Sequence, residues 1–205
     1  MQKSTPGRPR EFDDTAVVEA AMDVFWSRGY EGASAQELCE RTGLGRGSLY
    51  NAFGSKQKLY HRALTLYQEQ GIQAQAQILN GRGTVRERLQ ALMDWGIAHD
   101  LGPARGRGCM ALFAALDRAG KDPEVAEIAR VYVQRLEQVL CHLFAVGQRS
   151  GELPSVRSAL EMARGFVGSY YGLRVLGQSM PDRGFLRDAT AGILASFGAG
   201  DERLG

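Results

Sequence analysis

Apolar residues recur three or four positions apart along most of the chain, the spacing of helices packed on one side. Val17, Ala21, Val24 and Phe25 predict a first helix over about 15–28, with Gly29 as its left-handed cap. Ser34 and Glu37 form an S-x-x-E capping box that opens a second helix, for which Leu38, Cys39 and Leu44 supply small buried contacts. Gly43, Leu44 and Gly45 make the turn, where glycine takes a positive φ that other residues avoid. The short third helix, over 46–52, exposes Arg46, Ser48, Tyr50 and Asn51. Ser55 caps a fourth, over about 56–79, with Leu59, Tyr60, Ala63, Leu64 and Tyr67 on one side. Two helices joined by a glycine-containing turn are the layout of a DNA-reading helix-turn-helix.

Residues 80–84 break the pattern, and every segment after them reads as helix. Val85, Leu89, Leu92, Met93 and Ile97 mark one face, and Trp95 with His99 a second. Asp122 and Pro123 open a long amphipathic helix, and Pro154 precedes another over about 155–178. The last runs over 182–197, so the fold expected is all-α with about nine helices. Between 162 and 181 the only charges are Arg164 and Arg174, and apolar residues face all sides. Such a helix must be buried all round, and a chain this small has too few helices to cover it. A second subunit is the economical cover.

Composition refines this picture only in places. A chain of 205 residues, 44% hydrophobic and 23% charged, is ordinary for a globular protein with a sizeable core. With no apolar leader and no stretch long enough to span a bilayer, the protein is expected in the cytoplasm without membrane contact. Three cysteines without paired spacing argue against a disulfide scaffold, and no CxxC or His-rich cluster suggests a metal. The net charge of +2 says little, but its arrangement says more. Arg8 and Arg10 lie in a short arm that precedes the first acid, Glu11, and residues 41–58 carry four basic groups and no acid. Phosphate neutralisation needs basic groups gathered in this way, and such arms can order in a minor groove.

The string GLGRGSLYNAFGSK resembles the signature of TetR/AcrR-type regulators, whose second and third helices end in Leu-Tyr-x-x-Phe-x-Ser-Lys. Here that run is Leu49, Tyr50, Phe53, Ser55 and Lys56, and the upstream AAMDVFWSRGYEGAS resembles the family's first helix. Gly45 stands where the family more often has Ser or Thr, and glycine caps nearly as well. The resemblance implies a flexible basic arm at 1–10, a three-helix DNA-binding domain at 11–57, and a larger helical effector-binding and dimerisation domain at 58–205. It implies that Ser34, Tyr50 and Lys56 touch phosphates and that Arg46, Ser48 and Asn51 lie nearest the base edges. Gly45 and Gly47 belong to the same surface, with Gly47 allowing close approach. It further implies dimerisation through the last two helices, a partially palindromic double-stranded operator, and a fourth helix that transmits ligand binding to the head.

His61, His99 and His142 lie in separate helices with no nucleophile at motif spacing, so no catalysis and no cofactor are expected. Residues 102–108 form a basic glycine-rich loop, but without a following Lys-Ser/Thr it is not a P-loop. Trp95, His99, Met110, Phe113, Met162, Phe166, Tyr170 and Tyr171 are the candidates to line an effector pocket, and core packing accounts for the aromatic ones equally well. Acids are scarce around them, which favours an apolar or aromatic effector over a cationic one. Cys109 follows Arg105 and Arg107 and begins a helix, and both influences favour a reactive thiolate. Its Arg-Gly-Cys run resembles a TetR subgroup in which some members sense electrophiles or oxidants. Where that subgroup often has Asn and Glu, four and eight positions on, this chain has Phe113 and Asp117. Cys141 is a resolving partner if the sulfurs meet, and a packing role for Cys109 stands beside the sensing one. The function expected is a homodimeric repressor released by a small effector or by cysteine modification. The alternative is a nucleoid-bound adaptor that recruits a protein partner through a filled C-terminal domain.

Overall fold

The computed structural model describes residues 13–102 and 107–197. Nine α-helices and no strand occur among them: α1 (Asp14–Gly32), α2 (Ala35–Thr42), α3 (Arg46–Phe53), α4 (Lys56–Leu79), α5 (Val85–Leu101), α6 (Met110–Arg118), α7 (Pro123–Arg149), α8 (Ala159–Ser179) and α9 (Arg183–Ala195). The all-α architecture expected from periodicity is the one observed. Chain contacts divide it into two units, Met1–Leu66 and Tyr67–Gly205, and α4 contributes to both. Arg8 and Arg10, expected to form a DNA-binding arm, lie outside the described residues, as does Arg105.

In the first unit the local signals act largely as the residue types dictate. Asp13 caps α1 by accepting from the Thr15 N–H, and Gly29 interrupts the helical run at φ 68°. Ser34 accepts from the Glu37 N–H at 3.1 Å. The reciprocal half of that box gives way to tertiary contact, because the Glu37 carboxylate accepts from Arg28 Nε at 3.1 Å. Gly43 supplies the left-handed turn at φ 69°, whereas Gly45 sits at φ −64°, a conformation open to any residue. The core gathers Val17, Ala21, Phe25, Leu38, Leu49, Phe53, Leu59 and Tyr60, all buried. Fully burying a side chain of this size contributes roughly 1.5–3 kcal/mol. Phe25 and Tyr30 meet the Tyr60 ring at centroid distances of 4.9 and 5.0 Å, which locks α1 onto α4.

In the second unit α8 packs against α5, α7 and α9. Phe144, Phe166 and Phe197 form one aromatic cluster, with centroids 5.4–6.4 Å apart. Helix starts are set by full capping boxes at Thr84 with Glu87 and Ser158 with Glu161, and by buried Asp122 ahead of Pro123. The box at Ser158 starts α8 at Ala159, later than the 155 expected from Pro154. One stripe of α8, Gly165, Gly168, Gly172 and Leu176, remains exposed, as do Ala191, Gly192 and Ala195 of α9. A Cβ added at Gly168 or Gly172 would meet nothing within 4 Å. No helix among the described residues is long and apolar enough to cross a membrane.

Candidate nucleic-acid interface and effector centre

The outer surface of the first unit follows from how α3 divides its side chains. Leu49 and Phe53 are buried, which turns Arg46, Gly47, Ser48 and Asn51 outward, with Tyr50 half-buried beside them. Gly45 caps α3 without a side-chain bond. A bare helix start presents orphan N–H groups and the positive end of the helix dipole, both suited to phosphate. Nothing lies within 4 Å of a Cβ at Gly47, so a partner can approach the backbone closely there. Ser34 is exposed and uses its oxygen as an acceptor, which leaves its O–H to donate outward. Lys56 holds its ammonium 4.7 Å from the Tyr30 ring centroid, a cation–π contact that fixes its position. Other cations of the unit face acids: Arg28 pairs with Glu37, Arg41 with Asp23 at 3.4 Å, and Arg62 with Asp14 at 3.9 Å. Arg46 and Lys58 are exposed.

The second unit carries its polar chemistry inside. Arg174, only 3% exposed, stands with its guanidinium carbon 5.6 Å from the Trp95 centroid and 5.7 Å from that of Tyr170. Trp95 stacks on His99 at 5.6 Å, and Tyr170 meets both Phe166 and Tyr171, at 6.4 and 5.1 Å. Trp95 and Tyr170 thus flank Arg174, with His99 stacked on Trp95 and Tyr171 beside Tyr170, while Phe166 also belongs to the cluster with Phe144 and Phe197. Met110 and Met162 are also buried, the latter beside Gln148, whose Nε2 is 3.6 Å from its sulfur. Phe113 sits at the edge, 36% exposed. Tyr67, Tyr132 and Gln75 join the centre although periodicity marks Tyr67 and Tyr132 as core residues. Gln75 Nε2 donates to the Tyr132 hydroxyl at 3.1 Å, and the Tyr132 ring lies 5.7 Å from that of Tyr171. The sequence signal for this centre is Arg174 itself, a charge in an otherwise apolar stretch.

Cys109 is buried at the N-cap of α6, within hydrogen-bonding reach of the Tyr67 and Tyr132 hydroxyls. Burial pushes the phenols of Tyr67, Tyr132 and Tyr171 well above their ordinary 10.0, while Arg174 pulls each of them down. Burial wins, so all three remain protonated donors at neutral pH. Gly108 adopts φ 58°, and a Cβ there would lie 2.4 Å from Phe113 and 2.7 Å from Gln178. Only glycine fits that conformation and that space. Cys141 is half-buried on α7, and Cys39, Cys109 and Cys141 are all free thiols. A groove of about 360 Å³ also opens between α5 and α9, lined by Asp94, Arg187 and Thr190 among others and by none of the expected pocket residues.

These features match known proteins over most of the chain. The family model for bacterial regulatory proteins of the tetR family covers residues 17–63. The HTH-type transcriptional regulator YezE of Bacillus subtilis is 32% identical over 72% of this chain and 76% of its own length. The HTH-type transcriptional repressor BdcR of Escherichia coli is 30% identical over 68% of this chain and 69% of its own. Among solved structures, a cysteine mutant of the TetR family regulator CifR, complexed with 26-bp double-strand operator DNA, is 30% identical. It superposes with a TM-score of 0.81 over 93% of this chain and 100% of that one. The exposed polar face of α3, the helix-turn-helix that presents it and the likeness along both units lead to one assignment: the chain belongs to the TetR family of DNA-binding transcriptional regulators.

Proposed function

We propose that the protein is a homodimeric repressor that leaves a partially palindromic operator when its second unit takes up a small apolar or aromatic effector or when Cys109 is modified. The observation that carries this reading is the division of polarity in the chain. Arg46, Ser48 and Asn51 stand exposed on a helix anchored by Leu49 and Phe53, while Arg174, the tyrosines and Cys109 are buried in the other unit. Arg46, Ser48 and Asn51 read base edges, and Ser34, Tyr50 and Lys56 hold phosphates. The uncovered glycine stripe of α8 and the small residues of α9 support pairing with a second copy, which also sets the spacing of two half-sites. Cys109 is only 1% exposed, so the reading requires a reagent small enough to enter the fold.

Release of operator DNA, followed by fluorescence anisotropy after treatment with N-ethylmaleimide, a quinone or hypochlorite, tests the cysteine arm. Wild type is expected to dissociate and Cys109→Ser to stay bound. Equal release of both proteins, or of neither, removes Cys109 from the mechanism and leaves reversible effector binding.

A further inference from the structure

The cations of the first unit are held in two ways. Arg28 lies 3.1 Å from the Glu37 carboxylate and Arg41 3.4 Å from that of Asp23, while Arg62 combines the Phe53 ring with Asp14 at 3.9 Å. Lys56 makes no ion pair among the described residues, and what holds it is the Tyr30 ring, with the ammonium 4.7 Å from the centroid. The distinction matters for a polyanion. A carboxylate paired with a cation cancels much of the charge a phosphate needs and competes for its N–H donors. The negative face of an aromatic ring attracts the cation without a net charge of its own and leaves the ammonium donors to another acceptor. Holding a long side chain in one place beforehand also lessens the rotamer freedom lost on contact.

The Tyr30 ring is itself set by a backbone device. Gly29 leaves the helical region, at φ 68° and ψ 177°, between Arg28 and Tyr30. In an unbroken helix two residues five apart point about 140° away from each other. Here the Phe25 and Tyr30 rings stack at 6.4 Å with their planes 14° apart. Tyr60, buried on the helix that carries Lys56, meets the Tyr30 ring at 5.0 Å. Lys56 and Tyr60 are four apart, so they share a face of α4 and one ring reaches both. A Cβ at Gly29 would meet nothing within 4 Å, so the backbone angle, not space, requires glycine there.

We propose that Tyr30 is a positioning residue for DNA binding: its ring holds the Lys56 ammonium in place with its charge intact and its donors left for a backbone phosphate. The inference rests on the reading of Lys56 as a phosphate contact and adds the residue through which that contact is prepared.

Duplexes enriched from a random pool by the wild-type protein supply the probe, and anisotropy titrations of the full-length chain at several salt concentrations read it. Lys56→Gln should weaken binding and reduce the slope of log affinity against log salt by about one, the loss of one phosphate contact. Tyr30→Phe keeps a ring face and should bind as wild type does. Tyr30→Leu should weaken binding about two- to fivefold, the size of an exposed cation–π contact. In the Lys56→Gln background the same change should cost no further affinity, although its effect on the urea midpoint persists, since packing acts in both backgrounds. If Tyr30→Leu fails to fold, pentafluorophenylalanine at position 30 keeps the ring's shape and reverses the polarity of its face, with the same loss expected. Three outcomes overturn the positioning role while leaving Lys56 on phosphate. They are a leucine or fluorinated variant that binds like wild type, a Tyr30→Phe as weak as Tyr30→Leu, and a loss that persists in full beside Lys56→Gln. Unchanged affinity and salt slope for Lys56→Gln itself sinks the phosphate reading, and the role of Tyr30 with it.

Discussion

In the first unit the side chains of α3 that can form hydrogen bonds point to solvent, and the interior is almost wholly hydrocarbon and aromatic ring. In the second unit the arrangement is inverted: α8 keeps Arg174, Tyr170 and Tyr171 inside and turns glycines and Leu176 outward. The difference teaches where each unit meets its partners. A polyanion too large to enter a fold is met by exposed donors on a small rigid head, whose affinity comes from phosphate contacts and whose choice comes from base edges. Under the proposed function a small molecule would be met by buried donors, where the surroundings strengthen each hydrogen bond. An apolar outer stripe serves neither purpose, and the proposed second subunit would give it one.

The largest effect expected from this contrast is at that stripe. Gly168→Glu places a carboxylate where a Cβ would meet nothing within 4 Å among the described residues, so the subunit itself can accommodate it. In a dimer seam the same charge is desolvated, at about 3 kcal/mol or more. Dissociation should rise at least about 100-fold, giving monomers in sedimentation velocity that keep wild-type helicity and bind operator poorly. An intact dimer would move the interface off α8.

Next in size is the head. Arg46→Ala should cost about 1–3 kcal/mol on the cognate operator and relax selectivity at one base position. Tyr50→Ala, by contrast, should weaken every sequence alike. Unchanged affinity and selectivity for Arg46→Ala in a low-salt titration would mean that α3 does not read the major groove.

The two units also differ in how legible they are. The head is written in short-range signals: Ser34 and Ser55 as caps, Gly43 as the turn, and apolar spacing that leaves Arg46, Ser48 and Asn51 outside. Each acts within three or four residues, so the pattern suffices without the fold. What it misses is tertiary competition, as when Arg28 draws Glu37 away from its box. The centre of the second unit is built across long separations, with Gln75 reaching Tyr132 and Arg174 reaching Trp95. Periodicity assigns Tyr67 and Tyr132 to an apolar face correctly, since they are buried, but it cannot say that their hydroxyls converge with Cys109. Trp95 and His99, four apart on α5, stack as their spacing suggests, and so do Phe166 and Tyr170 on α8.

The smallest effect separates exposed polar groups that only cap a helix from those that meet a partner. At the start of α5 the Glu87 carboxylate accepts from the Thr84 N–H at 2.8 Å and from its hydroxyl at 3.0 Å. The backbone bond first, and the hydroxyl second, hold its pKa below the ordinary 4.5. A depressed carboxylate stabilises the fold above its unfolded-state value, and that contribution is lost as pH falls through the folded value. Glutamine keeps an acceptor at this position but not the charge. Glu87→Gln should therefore lower the urea midpoint slightly at pH 7, and the gap to wild type should close as the pH drops below 4.5. Operator affinity should not change, because the side chain only fastens a helix start. A gap that stays constant down to acid pH would show that the charge contributes nothing there. A loss of operator binding would make this exposed glutamate part of the response to effector, and the contrast between an outward-reading head and an inward-reading second unit would no longer hold.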